Sequence, residues 1–321
     1  MTASQEHTQS VQDTPTRSVG KVEAWILAAR PKTLAAAAAP VIVALALAWR
    51  DFATDPALAE RSFQLVPALS CLLFAIFAQI AANFINDYAD FQRGADDQRR
   101  KGPQRAVANG WISPKAMLLG TFVALAVACL CGLATLFYGG WPLFWVGLIS
   151  CVFCLLYSCG PLPLSYIGLG DVLVVAFFGV VAIAFTYYAQ TQRITLDAVL
   201  LGLAIGFACD NILVANNYRD RDEDRANRKW TLIALLGERF GRYFYLANGL
   251  IALTLATVVF ARQTAWSLAA ILAIAIYLAA HLSTWSNIAR YHTGVKVARV
   301  LPLSARNLLI LSILVSVAIF K

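Results

Sequence analysis

The sequence predicts an all-α polytopic membrane protein of about nine transmembrane helices. Three observations predict it. Sixty percent of the 321 residues are hydrophobic and only 14% charged, and mean hydropathy is +0.65, far from the balance of an ordinary soluble domain. Apolar runs recur along almost the whole chain at the length of roughly 20 residues that crosses a hydrocarbon core about 30 Å thick. Finally, the acidic residues concentrate in two stretches, each placed directly after an apolar run: NFINDYADFQRGADD from Asn83 and NNYRDRDEDRANRKWT from Asn216.

In chain order, residues 1–20, MTASQEHTQSVQDTPTRSVG, are too polar to bury a core and read as a disordered tail. Residues 21–321 then form one transmembrane domain. The tail lacks the basic start and prompt apolar stretch of a cleaved signal peptide, so the first helix is expected to stay in the mature protein. Spans follow at about 24–49, 63–86, 114–137, 141–160, 170–190, 195–218, 241–261, 264–282 and 301–320. With the N-terminus inside, only Arg50, Arg61, Arg193, Arg262 and Lys321 of the 26 Lys and Arg fall outside. The positive-inside rule therefore puts both acidic stretches in the cytoplasm. The formal net charge of +8 lies mainly beside the membrane, where it meets anionic lipid or an anionic substrate. No soluble basic domain is visible, which argues against a nucleic-acid partner.

The two acidic stretches form a weak internal repeat, and two similar halves around one cavity would bring them together. Asn83, Asn86, Asp87 and Asp90 share a face if the helix continues to Asp90, and the chain is expected to turn at Gly94, before Asp96. Asn216, Asp220 and Asp224 repeat at i, i+4 and i+8, with Asn217 one position off. Clustered carboxylates repel unless a cation sits among them. Mg²⁺ suits the purpose, since it takes oxygen ligands and commonly binds through one or two carboxylates plus substrate phosphates. Arg93, Arg99, Arg100, Lys101 and Arg105 accompany the first set, and Arg219, Arg221, Arg225, Arg228 and Lys229 the second. Carboxylates for metal beside Arg and Lys for phosphate oxygens point to a diphosphate site. Solvated, salt-bridged loops are the plainer alternative, and the duplication in helical register weighs against it.

The strings NDYADFQRGADD, GPQRAVANG, YSCGPLPLSYIGLGDV, TYYAQT, NNYRDRDEDRANRKWT and the opening AARPKTLAAAAAPV resemble the UbiA-type intramembrane aromatic prenyltransferases. Within them the likeness is to the 1,4-dihydroxy-2-naphthoate polyprenyltransferase branch of menaquinone synthesis. It extends from about Trp25 to the C-terminus. The resemblance implies a nine-span bundle around a central cavity capped by the two cytoplasmic loops, in the bacterial cytoplasmic membrane. It implies Mg²⁺-dependent transfer of a prenyl group from polyprenyl diphosphate to an aromatic acceptor, here a dihydroxynaphthoate that loses its carboxylate. At matching positions it implies Asn83, Asp87, Asp90, Asp220 and Asp224 as catalytic residues, with Asp87, Asp90, Asp96, Asp220 and Asp224 on the metal. Arg30, Lys32, Arg105, Lys229 and Asn217 would hold the diphosphate end. Tyr157, Tyr187, Tyr188 and Gln190 would line the cavity. The ubiquinone-type branch usually has NDxxDxxxD, which needs Asp at position 94; Gly94 followed by Asp96 matches the naphthoate branch. A basic residue often precedes GLGD in that branch. Ile167 stands there instead, so a contact comes from elsewhere or the acceptor differs, 4-hydroxybenzoate and homogentisate being the alternatives.

Asp171, after GLG, is either a helix N-cap or a residue that positions the acceptor. Asp210 lies inside a span, where an ionisable group is costly and commonly functional. The seven cysteines, Cys151 and Cys154 of CVFC included, read as small packing residues without a disulfide framework. His281 and His292 flank a loop without metal-ligand spacing and are expected at the surface or interface. A secondary transporter would place ionisable groups near mid-membrane rather than in clusters at one face. A CDP-alcohol phosphotransferase would show a DGxxAR run, and none is present.

Overall fold

The computed structural model describes residues 19–94, 105–263 and 267–320. Residues 1–18 of the tail expected over 1–20, and Asp96, Arg99, Arg100 and Lys101 of the first acidic stretch, lie outside them. The described residues form a short helix, α1 (Lys21–Ala29), and nine helices long and apolar enough to span a membrane. These are α2 (Pro31–Thr54), α3 (Leu65–Gln92), α4 (Pro114–Gly139), α5 (Trp141–Ser158), α6 (Gly170–Thr191), α7 (Leu196–Ala226), α8 (Leu232–Arg262), α9 (Leu268–Arg290) and α10 (Val295–Ile319).

The first span departs from the expected 24–49. Arg30 adopts a left-handed backbone, φ 50°, which ends α1 and lets Pro31 start α2 at the position where its missing N–H costs nothing. Asn83 on α3 holds this break, its amide donating to the Ala29 carbonyl at 2.8 Å and to Thr33 Oγ1 at 3.0 Å. The break turns Arg30 toward α3, where its guanidinium donates to Asn86 Oδ1 at 3.2 Å. Both motif helices outrun their apolar stretches. α3 continues through Asp90 to Gln92, and α7 continues eight residues beyond the expected 218 to Ala226. At about 1.5 Å per residue, α7 reaches well past the hydrocarbon and carries its carboxylates on rigid helix rather than on loop.

α7 is the axis of the bundle. Of its apolar stretch 72% is buried, against 17% for α5, which turns Trp145, Leu148, Ile149 and Val152 outward as lipid-facing surface. α7 packs on α6, α8 and α10, α2 packs on α3, α6 and α10, and α3 packs on α4 and α5. The apolar core of Val43, Leu47, Ile183, Leu201, Ile205, Ala256, Leu308 and Leu311 fills the half of the bundle away from the motifs. α6 and α7 approach most closely: a β-carbon on Gly179 would stand 2.3 Å from the Gly202 carbonyl and 2.6 Å from the Gly206 Cα. Small residues four apart permit such backbone contact between spans, and α6 opens into a π-helical stretch, Ala176–Val181, at this point.

Buried polar pairs lace the second half of the bundle. Asn307 donates to Thr284 Oγ1 at 2.9 Å, Tyr245 and Ser304 hydroxyls meet at 2.8 Å, and Asn248 donates to Asp210 Oδ2 at 2.7 Å. His281, expected at the surface or interface, is buried within α9. Its ring stacks between Tyr245 and Tyr277 at centroid distances of 5.2 and 5.9 Å and bonds the Leu246 carbonyl, and Gly249 leaves the room its ring occupies. All seven cysteines are free.

Candidate active site

The two motif helices bring their carboxylates to one end of the bundle. Asp87 is held by backbone, accepting from Ala106 N–H at 3.0 Å and Val107 N–H at 3.3 Å, so it anchors the segment that begins at Arg105. Arg105, the first described residue of that segment, donates to Asp90 Oδ2 at 2.7 Å and to Asn86 Oδ1 at 2.8 Å. On α7, Arg219 grips Asp220 with Nε and Nη2, both at 2.6 Å, and donates to Asn216 Oδ1 at 2.7 Å. Lys229 Nζ lies 3.2 Å from Asp224 Oδ1, and Asp224 Oδ2 is buried without a partner among the described residues. Asp90, Asp220 and Asp224 are thus each met by a cation of the same chain.

Asp90, Asp220 and Asp224 line one small pocket of about 20 Å³ with Tyr166, Glu223, Asn227 and Lys229. Among the described residues, no three His, Cys, Asp or Glu side chains converge on one point as ligands. The donor set nevertheless fits a hard divalent cation: four carboxylates with the Tyr166 hydroxyl and the Asn227 amide beside them, one oxygen being left over on Asp224, around a space able to hold about one water or ion.

Tyr166 was not singled out by the sequence reading, and it organises this end. Its carbonyl accepts from Trp230 N–H at 2.9 Å, its ring lies under Arg93 at 5.0 Å and Lys229 at 5.9 Å, and its hydroxyl faces Asp90 Oδ1 at 3.5 Å. Burial first, and the Asp90 charge next, push its phenol up to about 12, so it stays a neutral donor. Its only trace in the sequence is its place in GPLPLSY. Arg93 closes the same loop onto α5 by donating to the Ser158 carbonyl at 2.7 Å.

A cavity of about 680 Å³ begins beside this pocket. Arg30, Lys32, Asn83, Asp87, Arg105, Asn217, Arg219 and Lys229 line its motif end, Lys229 being shared with the small pocket. Tyr157 and Asp171 stand on its wall farther in, and Phe74, Phe153, Phe177, Phe178 and Leu143 line the remainder. On α3 the lining residues Cys71, Ala75, Ala78, Ala82, Asn86 and Asp87 follow helical spacing, so the wall runs over roughly 24 Å at 1.5 Å per residue. Ile167 is 43% exposed, and Arg30, Lys32, Arg105, Arg219 and Lys229 border the cavity at its motif end.

Three expected lining residues are not on these walls. α6 enters the bundle at Asp171 and ends at Thr191, so TYYAQT lies at the far end. There the Tyr187 hydroxyl donates to Asp51 Oδ2 at 2.6 Å. Gln190 brackets the backbone of Gln64, accepting from its N–H at 2.9 Å and donating to its carbonyl at 2.8 Å. Tyr188 stands beside Phe185, with ring centroids 6.3 Å apart. Phe185 and Thr186, about one turn before Tyr188 and Gln190 on α6, reach the cavity instead. Asp171 is not an N-cap: Leu169 holds that position and Asp171 sits in the first turn.

Residues 37–301 match the UbiA prenyltransferase family. The chain is 35% identical over 256 residues to the 1,4-dihydroxy-2-naphthoate octaprenyltransferase of Mycobacterium leprae (strain TN), spanning 80% of this chain and 83% of that one. It is 33% identical over 248 residues to the protein so named from Escherichia coli (strain K12), spanning 74% and 78%. Among solved structures, a UbiA homologue from Archaeoglobus fulgidus bound to GPP and Mg²⁺ superposes with a TM-score of 0.64 at 15% identity, over 92% of this chain and 99% of that one. The apo UbiA homologue from Aeropyrum pernix K1 gives 0.63 at 16% identity, over 87% and 96%. At those identities the superpositions speak for the fold.

Proposed function

Because the chain belongs to the UbiA prenyltransferase family, we propose that it transfers a polyprenyl group from polyprenyl diphosphate to 1,4-dihydroxy-2-naphthoate, with Mg²⁺ as cofactor and loss of the acceptor carboxylate as carbon dioxide. The observation that carries this reading is the meeting of the two carboxylate motifs at one charged end of a long cavity whose remaining walls are apolar and aromatic. Such a cavity suits an amphipathic donor with a diphosphate head and a hydrocarbon tail. The membrane location follows from the nine apolar helices. The motif end is read as facing the cytoplasm of a bacterial cell, on the Lys and Arg distribution.

Asp90, Asp220 and Asp224, with Asp87 behind them and Asp96 beyond the described residues, are the carboxylates that would hold Mg²⁺. Bound there, the ion supplies positive charge to the diphosphate as it departs. Arg30, Lys32, Arg105, Arg219 and Lys229 add fixed positive charge at the same end, where negative charge develops on the leaving group. Those now bonded to carboxylates can exchange that partner for phosphate oxygens at little cost in charge pairing. Asn83 does its part at one remove, by fixing the break that aims Arg30. The allylic carbon left behind lies against Tyr157 and the tilted pair Phe153–Phe177, 5.0 Å apart, whose π faces favour a cation and whose packing keeps water away. No nucleophilic side chain is needed, because the electron-rich ring of the acceptor forms the new bond.

The test is an acceptor screen with purified protein, Mg²⁺ and labelled polyprenyl diphosphate, products being resolved by mass. Prenylated naphthol with release of carbon dioxide is expected from the naphthoate. Product from 4-hydroxybenzoate or homogentisate alone would keep the chemistry and replace the acceptor, with Ile167 as the reason.

A further inference from the structure

Asp171 and Asp210 form a carboxylate pair separate from the two motifs. Asp171 is 4% exposed and stands on the cavity wall. It follows Gly170, whose β-carbon position lies 3.3 Å from the Tyr157 hydroxyl. Asp210 on α7 is 1% exposed and is held on one oxygen by Asn248; Gly206, one turn before it, has its β-carbon position 2.8 Å from the carbonyl of Val175, one turn after Asp171, so the two carboxylates stand on facing turns of α6 and α7. The close α6–α7 contact at Gly179, Gly202 and Gly206 sets these two side chains together.

Asp171 Oδ1, Asp210 Oδ1 and Asn248 Oδ1 are all buried without a hydrogen-bond partner among the described residues. Each is an acceptor. Buried polar atoms are nearly always satisfied in folded proteins, so acceptors left over beside a cavity call for a ligand that donates. On the prenyl-transfer reading, on which this inference rests, only one substrate does so. The diphosphate offers acceptors and like charge, and the prenyl chain offers neither. A dihydroxylated ring brings O–H groups.

We propose that Asp171 is a catalytic residue that accepts a hydrogen bond from a ring hydroxyl of the aromatic acceptor and takes its proton as the ring attacks, with Asp210 and Asn248 as positioning residues behind it. The O–H bond breaks and its electron pair enters the ring. The ring carbon bonds the allylic carbon as the carbon–oxygen bond to diphosphate breaks, the pair leaving with diphosphate. When the acceptor carboxylate departs as carbon dioxide, its bonding pair restores the aromatic ring, and Asp171 returns the proton to the oxygen. No proton or electron is left over.

The experiment measures two products at once, prenylated acceptor and donor hydrolysed by water, for wild type, Asp171→Asn, Asp210→Asn and the double variant. In Asp171→Asn the ratio of transfer to hydrolysis is expected to fall about 10²-fold, the lower range for a general base. Asp210→Asn is expected to lower it about 10-fold alone and hardly further in the Asp171→Asn background, as for a residue acting through another. An unchanged ratio, or parallel loss of both products, overturns the proposal. Wild type offered the acceptor with both hydroxyls methylated needs no variant, and transfer at the ordinary rate would also overturn it. Wild type that prenylates no aromatic acceptor removes the underlying reading instead, an outcome separate from the others.

Discussion

The bundle has a polar cluster at each end, and the two differ in what they leave unused. At the far end, Asp51 is taken by Arg50 Nε at 2.7 Å and by Tyr187. Asp197 is taken by Arg262 Nε at 2.8 Å, and Gln190 and Gln64 satisfy each other. This cluster closes upon itself and laces helices together. At the motif end the carboxylates are also paired, yet Asp224 keeps a free buried oxygen, the carboxylates surround a pocket, and the cations that hold them border a large cavity. Charge clusters in a membrane bundle serve structure where the hydrogen-bond inventory closes, and chemistry where it stays open.

The sharpest break of this comparison is metal removal. Chelation is expected to abolish transfer while leaving the bundle's melting temperature little changed. Added Mg²⁺ should restore activity and Ca²⁺ restore it poorly, since the larger ion prefers more ligands at longer distances. Full activity in chelator would end the division between the two clusters. Next in size, Asp87→Ala and Asp220→Ala should each lower kcat by about 10²–10³-fold, the range for losing one preorganised charge contact, with the protein still inserted in membranes. Lys229→Ala is expected to raise the donor KM and lower kcat/KM about 10-fold, measured against varied diphosphate concentration.

Tyr187→Phe sharpens the other side. It leaves Asp51 Oδ2 short of its donor, at a cost of about 1–3 kcal/mol, and should lower the melting temperature with transfer held within about threefold. A large loss of kcat without destabilisation would put the far end into the catalytic machinery. A small effect at the motif end belongs to Tyr166→Phe, which removes a long contact to Asp90 but leaves the ring under Arg93 and Lys229. Transfer should fall only a few-fold. Because the Tyr166 phenol is pushed up to about 12, its loss should leave the pH–rate profile below about pH 9 unmoved.

The spans and the motif register were legible from composition and spacing because both are local. An apolar run of membrane length and an i, i+4 pattern of carboxylates need no knowledge of neighbours. Tyr157 and Tyr187 show where that legibility ends. Each follows an apolar stretch and is aromatic, yet one faces the cavity and the other bonds Asp51 at the opposite end. Depth in the bundle and rotation about the helix axis decide between them, and local composition encodes neither. The break at Arg30 was hidden for a related reason. AARPKTLAAAAAPV is apolar enough to continue one span, and the break is held by Asn83, more than fifty positions away (|i−j| = 54).

By itself the sequence determined an all-helical membrane protein with two oxygen-rich, cation-flanked motifs brought to one membrane face, since hydropathy and helical period are properties of each segment alone. Only the tertiary structure decided which aromatics line the cavity, that Arg30 turns toward α3, that Tyr166 joins two loops, and that Asp171 and Asp210 stand on facing turns of α6 and α7. Those outcomes depend on how closely and at what rotation the helices pack, which the small residues where α6 crosses α7 and the side chains between other spans settle together.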